Sequence, residues 1–390
     1  MKTSSSEYQK KDKPKIGQSF FYLGTFFLAT ALPISGIFFI FSIIISFLET
    51  KFNLLNDKCN LSILFIGALF IFSSLRLNLI NVSSSEYINK NIAPLDLFNW
   101  IPLFILFISS QHYLKNKSQR YIFSKFLISG TIPVLISCIL QYHFKIYGPF
   151  KTFFGLIVIF NKQPITSDGI SGLFSNPNYT SIWLSICLPI LLFLISRYKL
   201  INNKKLILYF VCICLIYTLF LTMSRNALTS LLSTFLIIYG LKKFLFLIFA
   251  LFLIYLSFGI LEPVVNFANL SFFREYNLLN FMSKFNINNI PNIFEFTRIK
   301  IWINTLKLIV QKPIFGFGAS TFPFVFYSIT NLKIQHSHNM PLQISYDYGL
   351  PLSILLTFFV TFLFLRSLTN IFKTKDFDDS FLFNKCWLAA

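Results

Sequence analysis

The chain has 390 residues, of which 55% are hydrophobic and only 12% charged, with a mean hydropathy of +0.66. A soluble domain carries about 25% charged residues, so the polar surface is too small to coat a water-soluble globule, which excludes a cytosolic enzyme, a disordered chain and a secreted disulfide scaffold. The net charge of +20 would point to nucleic acid in a soluble protein; in an apolar chain it is the Lys and Arg surplus of cytoplasmic loops, and no nucleic-acid partner is expected.

The first eighteen or so residues read as a polar, lysine-rich cytoplasmic tail with no small-residue cleavage site, hence an uncleaved anchor. The apolar run Phe20–Leu48 exceeds the ~20 residues of a comfortable span. Pro33 and Gly36 mark where it would fold back into two helices. Further spans are predicted over Leu61–Leu79, Trp100–Leu114, Phe123–Tyr142, Asn178–Ser196, Lys205–Thr222, Ser224–Tyr239 and Lys243–Ile260. About eighty mixed residues follow, then a span over Pro341–Leu365. A last apolar stretch begins at Phe381 and stops at Ala390 in mid-helix, as a span cut short. Cys59, Cys138, Cys187, Cys212, Cys214 and Cys386 form no CxxC pair and no Cys/His metal spacing, and read as small core residues.

Counting positive charges sets the orientation. With a cytoplasmic N-terminus and a split first run, the inside loops hold Lys51 and Lys58; Lys115, Lys117, Arg120 and Lys125; Arg197, Lys199, Lys204 and Lys205; Lys242 and Lys243; and Arg366, Lys373 and Lys375. The outside loops hold Lys90, then Lys145, Lys151 and Lys162, then Arg225. A single first helix would invert this bias. The expected fold is therefore an all-α, polytopic membrane helical bundle of about eleven spans. Its organisation reads as a tail over 1–18, nine spans over 19–260, a large outer loop over 261–339 and C-terminal spans over 340–390.

Polar residues are scarce, so those near the outer face carry the functional reading. Arg225, in Ser-Arg-Asn between two apolar runs, is either a helix-end anchor that snorkels or an anion site, since guanidinium grips phosphate with a planar fork. Glu295 and Arg298 stand three apart at the head of an amphipathic helix with apolar positions Ile299, Trp302, Leu306 and Ile309. They are either a local surface pair or part of a site. Lys312-Pro313 ends this helix, and Gly316-Phe-Gly318 marks a turn where backbone approaches closely. His336 and His338, in Gln-His-Ser-His-Asn, lack a third ligand at metal spacing. They read as a general base or a hydrogen-bonding orienter, or as plain interfacial residues. Asp347 could orient a His or pair with an Arg. Asn176-Pro-Asn178 marks a helix start that is either structural or presents Asn side chains to a sugar.

Four segments, Gly172–Thr180, Thr222–Ala227, Arg298–Gly318 and His336–Gly349, resemble in order and spacing the O-antigen ligase / O-antigen polymerase superfamily. The resemblance covers about Gly172–Leu365. It implies a glycosyltransferase of the bacterial inner membrane, without metal or other cofactor. Such an enzyme moves a glycan from an undecaprenyl-diphosphate carrier to a hydroxyl of lipid A–core or of another lipid-linked glycan, on the periplasmic side. By matching positions, Arg225 and Arg298 would hold the diphosphate and His338 would activate the acceptor, with His336 beside it. Asn339, Asp347, Glu295, Asn176 and Asn178 would support them. By the same resemblance, a twelfth helix would normally complete the bundle after the last apolar stretch.

Chemistry agrees with that implication. A diphosphate leaving group needs positive charge for what develops on its bridging oxygen. Two arginines can supply it here, where no Asp-x-Asp motif lies on the external side to hold a metal. The amphipathic loop helix could rest on the bilayer surface beside the lipid tail. The competing reading is a transporter of a lipid-linked sugar or a small anion such as bicarbonate. That reading predicts ionisable residues at mid-membrane and inverted repeats, whereas here the polar residues collect at one face.

Overall fold

The computed structural model describes residues 15–79, 93–164, 169–198, 203–250, 253, 297–373 and 379–390. It is mostly helical. Among the described residues six helices are long and apolar enough to cross a membrane: Leu32–Thr50, Lys58–Arg76, Lys117–His143, Pro177–Ser196, Asn203–Leu221 and Leu350–Phe372. The protein is thus a polytopic helical membrane protein. Two compact units interleave along the chain, one of residues 1–45, 113–285 and 367–390, the other of residues 46–112 and 286–366.

The long first run is two helices, α1 (Ile16–Phe27) and α2 (Leu32–Thr50). The break falls just ahead of Pro33, which occupies the first turn of α2, where a missing N–H costs nothing; Gly36 lies inside the helix. Ser35 Oγ donates to the Gly24 carbonyl at 2.7 Å across the bend. At twelve residues, α1 reaches about 18 Å, short of the ~30 Å hydrocarbon core. The helices α4 (Ile101–Tyr113) and α8 (Arg225–Tyr239) are likewise shorter than a full span.

In the first unit, α1 packs on α5 (Lys117–His143), with Tyr22 stacked on Phe126 and Phe21 on Phe123. The helices α6 (Pro177–Ser196), α7 (Asn203–Leu221) and α8 then gather around a core that includes Cys138, Leu184, Cys187, Leu191, Phe193 and Leu215. Four of the six cysteines are buried there or nearby, and all six are free. Polar residues within these helices satisfy themselves locally. Thr131 Oγ1 donates to Leu127 O and Thr218 Oγ1 to Cys214 O, both at 2.9 Å, as an apolar solvent demands.

In the second unit, α3 (Lys58–Leu79) packs beside a short turn of helix at Ala93–Asn99, with Phe70 buried against Trp100 and Tyr348. The large loop supplies α9 (Thr297–Gln311) and α10 (Phe322–Thr330), whose Ile301, Leu308, Phe322 and Phe326 form a second core with Tyr346. The helix expected after Arg298 is present, but its buried stripe is Ile301, Thr305, Leu308 and Ile309. Leu306 is exposed and Trp302 half-buried. The periodicity was sound and its phase was not, because α10 and the following short helix cover a different face than composition suggested.

The predicted span Pro341–Leu365 is also two helices, α11 (Met340–Tyr348) and α12 (Leu350–Lys373), parted at Gly349 with φ +95°. Here the Gly316–Gly318 turn does what its glycines foreshadowed. Phe317 N donates to Tyr346 O at 2.7 Å, Gly318 N to Asp347 O at 3.0 Å, and Leu350 N to Pro313 O at 2.7 Å. A Cβ on Gly349 would overlap the Ile314 carbonyl, and one on Gly316 the Tyr346 carbonyl. Gly349→Ala is therefore expected to lower stability by at least the ~1–3 kcal/mol of a left-handed non-glycine residue. The check is a fall in the thermal-unfolding midpoint of the purified, detergent-solubilised protein. The last helix, α13 (Asp379–Ala389), packs on α6 and α8 within the first unit.

Candidate active site

In the second unit the site is built at the head of α11. Asn339 caps that helix, its Oδ1 accepting from Leu342 N at 3.2 Å, with Pro341 in the first turn. Just before the cap, Ser337 is fully buried (0% exposed). Its N–H donates to Gln343 Oε1 at 2.8 Å, its carbonyl accepts from Trp302 Nε1 at 3.0 Å, and its hydroxyl donates to Asn339 O at 2.9 Å. All the polar groups of Ser337 are thus engaged. The clamp turns its two neighbours outward. His336 and His338 are both exposed, their ring centroids 4.3 Å apart and tilted by 51°. His338 sits at φ +56°, in the left-handed region that His and Asn tolerate better than most residues.

Arg298 is the second residue of α9, one turn before Trp302, and is exposed. The indole bond from Trp302 to Ser337 ties its helix to the histidine tract. His338 feels the result: partial burial, then the neighbouring His336, then the Arg298 charge hold its imidazole below the usual value. A lowered pKa keeps the ring neutral at pH 7, the form that can accept a proton.

Asp347, expected to face a His or an Arg, does neither directly. Its Oδ2 accepts from Gln343 Nε2 at 3.0 Å, and its Oδ1 has no hydrogen-bond partner. Burial pushes this carboxyl well above the ordinary range; the Gln343 hydrogen bond opposes the push, and nearby Asp96 adds the smallest contribution to it. This buried carboxyl reaches the histidine tract through Gln343. Asp96 accepts from the Tyr348 hydroxyl at 2.5 Å and from Asn99 Nδ2 at 2.8 Å. Ser337 and Gln343 escaped the reading of the sequence. One signal was available: Gln343 and Asp347 are four apart on a helix, where Gln–Asp bonds form. Replacing Gln343 with leucine is expected to orphan both the Ser337 N–H and the Asp347 carboxyl. The cost is about 1–3 kcal/mol for each buried group left unmade, seen as faster amide hydrogen exchange over residues 336–339.

The first unit carries a second cluster. Arg225 opens α8, and Ser224 is its cap position. The Ser224 hydroxyl donates to Asn178 Oδ1 at 3.0 Å and lies 3.1 Å from the Ser181 hydroxyl. Asn176 caps α6, accepting from Asn178 N at 2.8 Å. The Asn-Pro-Asn segment therefore starts one helix and braces the start of the next, which presents Arg225. The side-chain oxygens of both asparagines are spent on this scaffold. A cation on the first turn of a helix, beside the positive end of its dipole, is suited to an anion.

The structure thus groups Arg298, His336, His338, Asn339 and Asp347 around α11, and Arg225 with Asn176 and Asn178 around the head of α8. Glu295 lies outside the described residues. Among the described residues no group of three or more His, Cys, Asp or Glu side chains could hold a metal ion.

A multi-pass helical membrane protein whose polar chemistry concentrates where its helices begin is the class this architecture defines. Residues 210–357 match the family model described as O-Antigen ligase. Members of this family are O-antigen ligases and polymerases, membrane enzymes of polysaccharide synthesis. The match spans Arg225, Arg298, both histidines, Asn339 and Asp347; Asn176 and Asn178 precede it. No curated protein and no solved structure matches the chain.

Proposed function

We propose that the protein is a metal-independent glycosyltransferase. It takes a glycan from an undecaprenyl-diphosphate carrier and passes it to a hydroxyl acceptor, either lipid A–core or a second lipid-linked glycan. The acceptor O–H gives its proton to His338, the oxygen attacks the anomeric carbon, and the carbon–oxygen bond to diphosphate breaks. The leaving diphosphate takes the electron pair, and Arg298 and Arg225 carry its charge. His336 keeps His338 neutral and shares the approach to the acceptor. Asp347 acts through Gln343 to hold the tract that carries both rings. Arg225 is assigned its role from the motif and from its place on a helix N-terminus. In the cell, we place residues 1–18 in the cytoplasm, the 261–339 loop in the periplasm, and the spans of 19–260 and 340–390 in the inner membrane.

The observation that carries this reading is the cluster of Arg298, His336 and His338, the two rings 4.3 Å apart, where burial, His336 and the Arg298 charge hold the His338 imidazole below its usual value. The test uses protein reconstituted in liposomes with a purified lipid-diphosphate glycan, a hydroxyl acceptor and a chelator of divalent ions. A new glycosidic bond and an equal amount of free lipid diphosphate are expected. Unmodified donor carried across the bilayer, with no new bond, would establish a transporter instead. The acceptor consumed separates ligase from polymerase.

A further inference from the structure

Between the spanning helices α5 and α6 the chain forms a small hairpin, β1 (Phe150–Thr152) paired antiparallel with β2 (Ile157–Ile159). Its base is fixed. Gly148 N donates to Asn161 O at 3.0 Å and Asn161 N to Gly172 O at 2.9 Å. Buried Gln141, near the end of α5, adds a 2.6 Å bond from Nε2 to Lys162 O, and its Oε1 accepts from the backbone of Ser171 and Gly172. A rigid stem therefore holds the tip in place.

The tip is apolar. Phe153 is 68% exposed, Phe154 fully so and Leu156 66%. Phe153 and Phe154 both have positive φ, +50° and +56°, a conformation that bulky residues rarely adopt. Strained backbone that thrusts two phenyl rings into water has no rationale in the fold itself. The surroundings name the occupant. Both ends of the segment continue into helices that cross the bilayer, so the hairpin stands at a membrane surface by connectivity. From His143 to Pro164 there is no Asp or Glu, while Lys145, Lys151 and Lys162 are all exposed. Exposed apolar rings in a segment whose exposed charges are all cationic match the chemistry of acyl chains beneath anionic headgroups.

We infer that this hairpin is a membrane anchor: Phe153, Phe154 and Leu156 insert at the boundary between acyl chains and headgroups of an anionic phospholipid surface, and the three lysines meet its phosphates. The anchor is independent of glycan transfer and stands or falls without it.

The experiment places a tryptophan at the tip, Phe154→Trp, in otherwise intact protein in lipid nanodiscs. The unsubstituted protein, with its four native tryptophans, is the blank. In phosphatidylglycerol discs the added emission is expected to be quenched several-fold more by lipids brominated near the headgroup than by aqueous acrylamide. Strong acrylamide quenching with no lipid quenching would overturn the proposal, as would quenching by neither, the pattern of a second copy covering the tip. In zwitterionic phosphatidylcholine discs the lipid quenching is expected to weaken; equal quenching in both would remove the lysine–phosphate part. Because the tip ring packs on nothing, the substitution leaves the fold intact.

Discussion

Converting His338 to asparagine is expected to lower the rate of glycan transfer by about 10²–10⁴-fold, the usual contribution of a positioned general base. Asparagine is the sharper variant than alanine, because residue 338 lies at φ +56°, which asparagine accepts without strain. The backbone, the Ser337 clamp and the Asn339 cap then survive, and only the proton acceptor is lost. The unsubstituted enzyme adds a second readout. Since burial, His336 and Arg298 all lower the His338 pKa, its activity should rise with pH along a limb that lies below 6.5, the ordinary value for a histidine, and level off before neutrality. The sign is fixed: a base with a lowered pKa is active above that pKa and is silenced as acid protonates it. Transfer by His338→Asn at the rate of the unsubstituted enzyme, with the acid limb unmoved, would remove His338 from the mechanism.

Removing the Arg298 guanidinium is the next largest effect. Arg298→Ala should cost about 2–4 kcal/mol of transition-state stabilisation, by the scale of single oxyanion donors, or roughly 30- to 900-fold in rate. Arg298→Lys keeps the charge but not the planar, bidentate fork, and should fall between. The pH profile divides the two roles of this residue. Without the nearby positive charge His338 binds its proton more readily, so the acid limb of Arg298→Ala should move to higher pH. In Arg298→Lys it should stay close to its original place. A rate loss with no movement of the limb would mean that Arg298 meets substrate but does not act on His338. Full activity would exclude it from the site.

Several features were open to inspection before any coordinates. Composition alone placed the chain in a bilayer, because charged residues are too few to solvate it. Pro33 announced the break between α1 and α2, and Asn176-Pro177 and Asn339 announced helix starts, because caps and prolines act within one turn of their own position. The pairing of Gly316 and Gly318 signalled a close backbone approach, though not its partner. What it approaches is the end of α11, some thirty residues further on, where Gly349 splits an apolar run that hydropathy reads as one span. The stripe on α9 shows the same limit. Its period is written in the residues, but its phase depends on α10 and α11, which choose the face that is covered.

The membrane class, the run of helices and the residue types able to grip a diphosphate follow from the order of amino acids, since solvation, capping and proline sterics are local forces. Folding decided which of those residues keep company. Trp302 clamps Ser337 across thirty-five positions, Gln343 relays a buried acid to the histidine tract, and Asn178 braces the helix that presents Arg225. Such partnerships come from packing between distant segments, and the free energy of a distant contact is not written in either segment alone.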